Sequence, residues 1–171
     1  NKKDLEKKYK IDPRFLFLNL GYNLRMTEPQ AAMGIIQLRK LNKFIKKRQQ
    51  VANYWKKEIS KLSDLISFQE TTKSSENSFF GFAINVKKNK YFNRKRLTSY
   101  LEKNGIETRP IICGNIAKQP VLRMFNFRKD KQLKHSTYVM NNSFSIGCHQ
   151  SICNNAKNYV IYKFKKFFEQ I

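Results

Sequence analysis

Apolar residues recur at three- and four-residue steps from about residue 28 to about residue 60. This spacing predicts a long α-helix with one apolar side and a lysine-rich opposite side. Thr27 and Gln30 have the spacing of a capping box, and Pro29 suits the first turn because its missing N–H leaves no bond unmade. Gly34 weakens the helix interior, so we expect another backbone to approach it closely. The predicted apolar side comprises Ala31, Ile35, Leu38, Leu41, Ile45, Ala52, Trp55, Ile59 and Leu62.

Four shorter segments have the alternation or apolar content of β-strands. They cover residues 63–68, 79–86, 106–112 and 144–146, and we expect the last to be a short edge strand. In the second segment one phase of the alternation is apolar and predicts the side that faces the core. That phase comprises Phe80, Phe82, Ile84 and Val86.

The remaining elements are predicted to be helical. Asn93 can cap a helix through Leu97 and Leu101, and Gly105 can end it in the left-handed conformation. Residues 119–125 and 133–140 indicate short helical pieces, and a final helix carries an apolar side of Ala156, Val160, Phe164, Phe167, Phe168 and Ile171. The pattern predicts an α+β domain with a long N-terminal helix, a small mainly antiparallel sheet and a C-terminal helix.

Composition restricts the class of protein. A hydrophobic fraction of 40% argues against disorder, and 35 Lys plus Arg against 12 Asp plus Glu give a formal charge of +23. Such a charge is typical of nucleic-acid binding, so a basic binding module stays open. The cations are dispersed, however, and no nucleic-acid-binding motif accompanies them. We therefore expect only salt-sensitive, non-specific binding to polyanions and no specific nucleic acid.

The three cysteines and the apolar runs bear on location. An odd cysteine count at these spacings suggests reduced thiols in a cytoplasmic protein. Cys148, His149 and Cys153 lack a fourth ligand, so no metal site is predicted. No apolar run approaches the length of a membrane span. Because the sequence begins with Asn1 and has no signal-peptide pattern, we expect an internal or C-terminal piece of a longer chain.

The turn before the long helix is the first candidate binding site. The turn provides a flexible joint at Gly21, a phenol at Tyr22, an amide at Asn23 and a cation at Arg25, just outside a helix N-terminus. Such a group suits an anion. The alternative is an ordinary capping loop with exposed polar residues.

Four ordered stretches carry a family resemblance. They are GYNLRMTEPQAAMGIIQLRKL at 21–41, SFFGF at 78–82, GIETRP at 105–110 with CGN at 113–115, and NSFSIGCHQ at 142–150. Together they closely resemble the C-terminal domain of the DegT-type nucleotide-sugar aminotransferases, which are fold-type I pyridoxal-phosphate enzymes. The later stretches look most like the branch that includes GDP-4-keto-6-deoxymannose 3-dehydratase.

The resemblance implies two domains with different roles. Residues 1–20 would be the tail of a large cofactor-binding domain, and residues 21–171 the small domain. The Schiff-base lysine, which that dehydratase replaces with histidine, would lie in the missing large domain. In the homodimers of the family, Asn23, with Tyr22, would reach the phosphate of the pyridoxal 5'-phosphate held by the neighbouring subunit, so each active site would be shared.

The resemblance also implies four substrate-binding residues. They are Arg25, Arg109, Asn115 and His149. Without the family, the residues themselves favour a surface cation at Arg109. For His149, a polar residue with a satisfied hydrogen bond is the alternative of equal weight. Arg109 follows Thr108 and precedes Pro110, whose ring stiffens the backbone, and Asn115 follows the permissive Gly114.

The activity implied is a pyridoxal-phosphate-dependent aminotransferase. It would act on a nucleotide-linked 4-keto-6-deoxy sugar, with an amino donor such as glutamate, in O-antigen-type polysaccharide biosynthesis. Residues 25–28 have the sequence that is common among the aminotransferases of the family, which favours transamination. Dehydration at C3 of the same substrate class, and a non-catalytic binding or interaction role, remain alternatives.

Overall fold

The computed structural model describes Asp4, residues 7–8, Tyr22 and residues 24–112, 114–129 and 132–171. It forms two compact units, Asn1–Arg39 and Lys40–Ile171, with the division inside the helix Glu28–Ser60. The predicted domain boundary at residue 20 lies outside the described residues and stays a prediction.

Helix α1 runs from Glu28 to Ser60, the span that the apolar periodicity predicts. At its start the Thr27 N–H donates to Gln30 Oε1 at 2.9 Å, which is one half of the predicted capping box. Among the described residues nothing lies within 4 Å of a methyl group built at Gly34, so the expected approach of another backbone is not made within this part of the chain and stays a prediction.

The second unit contains a four-stranded antiparallel sheet. Its order is β1-β2-β4-β3, which makes β4 an inner strand and not the predicted edge. Pro110 lacks an N–H and lies in edge strand β3, which is shorter than predicted. The elements after α1 are β1 (Ile66–Phe68), β2 (Gly81–Val86), α2 (Arg94–Lys103), β3 (Thr108–Pro110), two 3₁₀ helices (Ile116–Lys118 and Pro120–Met124), α3 (Lys134–Asn142), β4 (Ser143–Gly147) and α4 (Asn154–Phe168).

One face of the sheet forms the core with the helices. Phe82 packs against Trp55 of α1, with ring centroids 5.6 Å apart. Because side chains alternate along a strand, Ile84 and Val86 lie on the same buried face as Phe82. The helices contribute further fully or nearly fully buried side chains: Ile59, Leu97, Leu101, Phe164 and Phe167.

The apolar side of α1 is buried only in its second half. Val51, Ala52, Trp55 and Ile59 belong to the core, whereas the first half carries exposed apolar side chains. The predicted apolar side is therefore found along the helix, but only its second half faces the core of this chain. The exposed residues of the first half are Met33, Ile35, Ile36, Leu38 and Leu41.

Local signals at α2 are confirmed. Asn93 Oδ1 accepts the Arg96 N–H at 2.9 Å, and Gly105 adopts a φ of 75° just beyond the helix. At the start of α2, Arg94 Nη1 donates to the carbonyl oxygens of Met140 at 2.8 Å and Ser143 at 3.3 Å. These bonds fix the junction of α3 and β4 to α2.

Candidate functional site

The sheet face opposite the core is built from small residues. On this face Gly81 of β2 pairs with Gly147 of β4, and Ala83 pairs with Ser145. Small side chains leave room above the backbone, and a groove of about 680 Å³ lies there. We call it the outer groove. The side chains and glycines that line it include Gln69, Phe80, Gly81, Ala83, Glu107, Arg109, Ile112 and Ser145.

Arg109 lies in β3 and lines this groove. Its side chain is 76% exposed, and its guanidinium forms an ion pair with Glu107, two residues away along the chain. Residues two apart along an extended chain lie on the same side. An exposed pair of this kind contributes little stability, so Arg109 can exchange Glu107 for an anionic ligand at small cost.

Phe80 also lines the outer groove, contrary to the sequence prediction. The alternation assigns it to the core, yet its side chain is 84% exposed. Phe79 adopts a φ of 49°, which breaks the alternation before β2 begins, and Phe79 packs against the core instead. The Phe79 N–H donates to Asn77 Oδ1, and this Asx turn is the only local sequence signal for the change of direction.

Asn115 is held within the protein. It is 3% exposed, its Oδ1 accepts the Ala117 N–H at 3.1 Å, and its Nδ2 donates to Thr137 at 3.0 Å. These bonds cap the first 3₁₀ helix and join it to α3. Gly114 beside it adopts a φ of 52° and lies close to Met140. The described bonds give Asn115 a structural role, and its contact with substrate stays a prediction.

His149 is exposed just after β4. Its Nδ1 accepts the Ser151 N–H at 3.2 Å, so Nε2 carries the proton of the neutral ring and is the atom that a ligand could reach. Neither His149 nor Asn115 is among the residues that line the outer groove.

The two described cysteines have opposite environments. Cys148 is buried, and its thiol donates to the carbonyl oxygen of Arg48 at 3.5 Å. Burial raises the pKa of the Cys148 thiol to about 11, although the positive charge of Arg48 acts in the other direction. Cys153 is exposed at the start of α4. Within the described part of the chain, no three His, Cys, Asp or Glu residues are grouped to hold a metal ion.

The predicted residues of the first unit are solvent-accessible where they are described. Tyr22 and Arg25 are exposed, whereas Asn23 lies outside the described residues. Cys113, which was part of the CGN stretch, lies outside them as well.

A second cavity of about 560 Å³ lies on the helix side of the sheet. Its walls include Trp55, Ile106, Ile152 and Tyr159. None of the predicted site residues that the structure describes lines it, whereas Arg109 lines the outer groove, so the outer groove is the better candidate site.

Comparison with known families places these motifs in one group. A model of the DegT/DnrJ/EryC1/StrS aminotransferase family matches residues 2–165. The chain belongs to this family. The resemblance seen in the four ordered stretches is thereby confirmed.

Several proteins show how much of a family member the chain represents. It is 32% identical over 157 residues to the lipopolysaccharide biosynthesis protein RfbH of Salmonella typhimurium, covering 92% of this chain and 36% of RfbH. The structure of the E. coli GDP-4-keto-6-deoxy-D-mannose-3-dehydratase with bound hydrated pyridoxal phosphate matches with a TM-score of 0.77 and 34% identity. A mutant of GDP-4-keto-6-deoxymannose-3-dehydratase with bound GDP-perosamine gives the same two values. Each structural match covers 90% of this chain and 39% of the relative, so the chain spans well under half of these proteins. The expected fold, a small domain of a fold-type I pyridoxal-phosphate enzyme, is confirmed.

None of the described helices combines the length and the apolar character that a membrane crossing requires.

Proposed function

We propose that this chain is the C-terminal small domain of a pyridoxal-phosphate-dependent enzyme that acts on a nucleotide-linked 4-keto-6-deoxy sugar. The observation that carries the proposal is the family match across residues 2–165. The name of one relative specifies a GDP-linked keto sugar, and the name of another specifies lipopolysaccharide biosynthesis. We extend both to this chain and assign it to a cytoplasmic pathway for an O-antigen-type polysaccharide.

The outer groove supplies a place for an anionic substrate. Arg109 presents five N–H donors there, and guanidinium binds phosphate or carboxylate through paired hydrogen bonds. Arg25 and His149 are further exposed donors, and the formal charge of +23 attracts a nucleotide diphosphate sugar. In this proposal Asn115 contributes to substrate binding through the loop that it caps.

The described residues fit a domain that helps to bind the cofactor and does not hold it covalently. No lysine in the described part of the chain is buried, so the structure offers no desolvated amine to hold pyridoxal phosphate covalently. When bound, pyridoxal phosphate supplies the electron sink for bond changes beside the keto carbon. We propose that the missing large domain holds the cofactor, and that Asn23 and Tyr22 of this chain bind its phosphate across a homodimer interface. The active sites would then be shared between subunits.

Two reactions of this enzyme class are distinguishable by their products. Transamination replaces the keto oxygen with an amino group taken from a donor such as glutamate. The sequence of residues 25–28 favours this reaction. Dehydration removes the C3 hydroxyl. The support for this second candidate is the 34% sequence identity between this chain and the E. coli 3-dehydratase. The test is mass spectrometry of the sugar nucleotide after incubation of the intact enzyme with GDP-4-keto-6-deoxymannose, glutamate and pyridoxal phosphate. An unchanged substrate in every condition would contradict both candidates.

The shared-site proposal has a direct test at Asn23. We expect Asn23→Ala in the intact enzyme to weaken cofactor binding by about 1–3 kcal/mol, the cost of leaving a buried polar partner unsatisfied. A cofactor titration followed by absorbance measures the change.

Mixing this variant with a partner variant that lacks the cofactor-binding residue of the large domain provides the control. Hybrid dimers should regain part of the activity because one of their sites is intact. Hybrid dimers that form and stay inactive would contradict the shared site.

A further inference from the structure

We propose that Phe80 is a ligand-binding residue of the outer groove, where its ring packs against a flat ring face of the nucleotide sugar while Arg109 binds the adjoining phosphate. This inference rests on the proposed function and adds to it an aromatic wall that the sequence pattern assigns to the core.

The backbone holds Phe80 out of the core. Phe82, two residues further along β2, is buried, and regular alternation would bury Phe80 as well. Phe79 instead takes a left-handed conformation, with a φ of 49°, which is unfavourable for a residue with a bulky side chain. The result is an 84% exposed phenyl ring beside a groove. Strain of this kind persists only where the surrounding contacts enforce it.

Those contacts are made by the Phe79 ring and by the turn that precedes it. Its N–H donates to Asn77 Oδ1 at 2.8 Å, and the Asn77 carbonyl oxygen accepts from Gln49 of α1 at 3.2 Å. Gln49 also donates to Glu76 at 2.9 Å, and the Phe79 ring packs against the core. The turn is therefore anchored to a helix, and the direction of Phe80 is set before any ligand arrives. Such preorganisation lowers the entropy cost of binding.

The rest of the groove selects the kind of ligand. Its floor of Gly81, Ala83 and Ser145 lets a ring lie close to the backbone, and Arg109 brings a cation to the same cavity. Its volume of about 680 Å³ lies within the range of small-molecule sites, about 300–1,000 Å³. Phenyl rings bind nucleobases by stacking and bind the C–H face of sugars by apolar contact. A ring joined to a phosphate is the chemistry that matches both Phe80 and Arg109.

The test measures ligand affinity in the intact enzyme by equilibrium dialysis. The variants are Phe80→Ala, Phe80→Leu and Phe80→Tyr, and the matched control is Phe125→Ala, which removes an exposed ring outside the groove lining. The probes are GDP-mannose, GDP and inorganic pyrophosphate. We expect Phe80→Ala to raise the dissociation constant of GDP-mannose about tenfold, the effect of losing one stacking ring. Phe80→Tyr should bind as the wild type does, and Phe80→Leu should recover only part of the loss.

The probes identify which ring packs on Phe80. A base on the phenyl ring predicts an equal loss for GDP, whereas a sugar face predicts a loss for GDP-mannose alone. Pyrophosphate should be unaffected in either case. Equal binding by wild type and Phe80→Ala would overturn the inference and leave the proposed function standing. A Phe80→Leu variant that binds fully, together with a changed oligomeric state in Phe80→Ala, would also overturn it and identify a protein contact. If the wild-type enzyme binds neither GDP nor GDP-mannose, the proposed function itself fails.

Discussion

At the residue scale, exposure separates side chains that are available to a ligand from side chains that support the fold. Arg109 reaches the outer groove with only an exposed ion pair to Glu107, whereas Asn115 is buried with both ends of its amide engaged. Motif similarity treats these two residues alike because it records residue identity and order. Accessibility depends on which neighbours the fold brings together.

Arg109 provides the first prediction at this scale. We expect Arg109→Ala in the intact enzyme to weaken use of the sugar nucleotide or the amino donor by about 1.5–3 kcal/mol, the range for a hydrogen bond to a charged group. The absorbance of the bound cofactor should not change, because the missing domain would hold it. Steady-state kinetics with each substrate varied in turn measure the effect.

The matched control is Lys88→Ala, which removes an exposed cation from a different loop and should leave kinetics unchanged. Unaltered kinetics in Arg109→Ala would return this residue to the status of a surface cation.

The cysteines provide the second prediction. The thiolate is the nucleophile in alkylation, and burial raises the pKa of Cys148 to about 11 from an ordinary 9.0. We therefore expect iodoacetamide at about pH 8 to modify exposed Cys153 well before Cys148. Tandem mass spectrometry of the peptide that carries both residues gives the two rates.

The same shift makes stability depend on pH. Because the pKa of Cys148 is higher in the folded than in the unfolded protein, the stability that the buried neutral thiol contributes is fully present below pH 9.0. It is lost as the pH rises toward about 11.

The control for the alkylation experiment is labelling of the protein in denaturant, which should make the rates at Cys148 and Cys153 similar. Equal rates in the native protein would contradict the buried environment of Cys148.

At the element scale, local signals were sufficient for helices and insufficient for the sheet. The span of α1 and the cap of α2 follow from periodicity and from the identities of Thr27, Gln30 and Asn93. The inner position of β4 depends on pairing with strands distant in the chain. The outward turn of Phe80 depends on a strained backbone at Phe79, for which the Asx turn at Asn77 is the only local signal. The outer groove needs both features, so the sequence predicted Arg109 but missed Phe80 and the small-residue floor.

Two glycines give a prediction at this scale. Gly105 and Gly114 both have positive φ, but a methyl group at Gly105 meets nothing within 4 Å, whereas one at Gly114 would lie 2.6 Å from Met140 Cγ. We expect Gly105→Ala to lower the free energy of unfolding by about 1–2 kcal/mol, the cost of the left-handed conformation alone. Gly114→Ala should add a further loss of about 1–3 kcal/mol from overpacking. Chemical denaturation of both variants measures the difference, and equal losses would contradict the close approach to Met140.

At the scale of the whole molecule, the first half of α1 carries exposed apolar side chains on more than one side. At 100° per residue, Met33 and Ile36 lie on a different side of the helix from Leu38, and all three are exposed. Apolar side chains on more than one side of a helix are typical of a helix that other elements cover. The chain also spans only 36% of RfbH, so we expect these side chains to be covered by protein outside this sequence or by a second copy.

Self-association of the isolated chain tests this expectation. We predict that residues 1–171 associate or aggregate in solution, because the first half of α1 exposes five large apolar side chains, Met33, Ile35, Ile36, Leu38 and Leu41. Sedimentation velocity should show a concentration-dependent increase in mass, and Leu38→Asp should reduce it. Met124→Asp, a matched change at an exposed methionine in the second 3₁₀ helix, should not reduce it.

Gly34→Ala distinguishes the stability of the helix from a contact with a partner. A methyl group there meets nothing within 4 Å in this chain, so the change should stabilise the helix by about 1 kcal/mol. If it also weakens association, another backbone approaches Gly34 in the assembly. A cooperatively folded monomer, unaffected by pyridoxal phosphate, would show that α1 needs no partner.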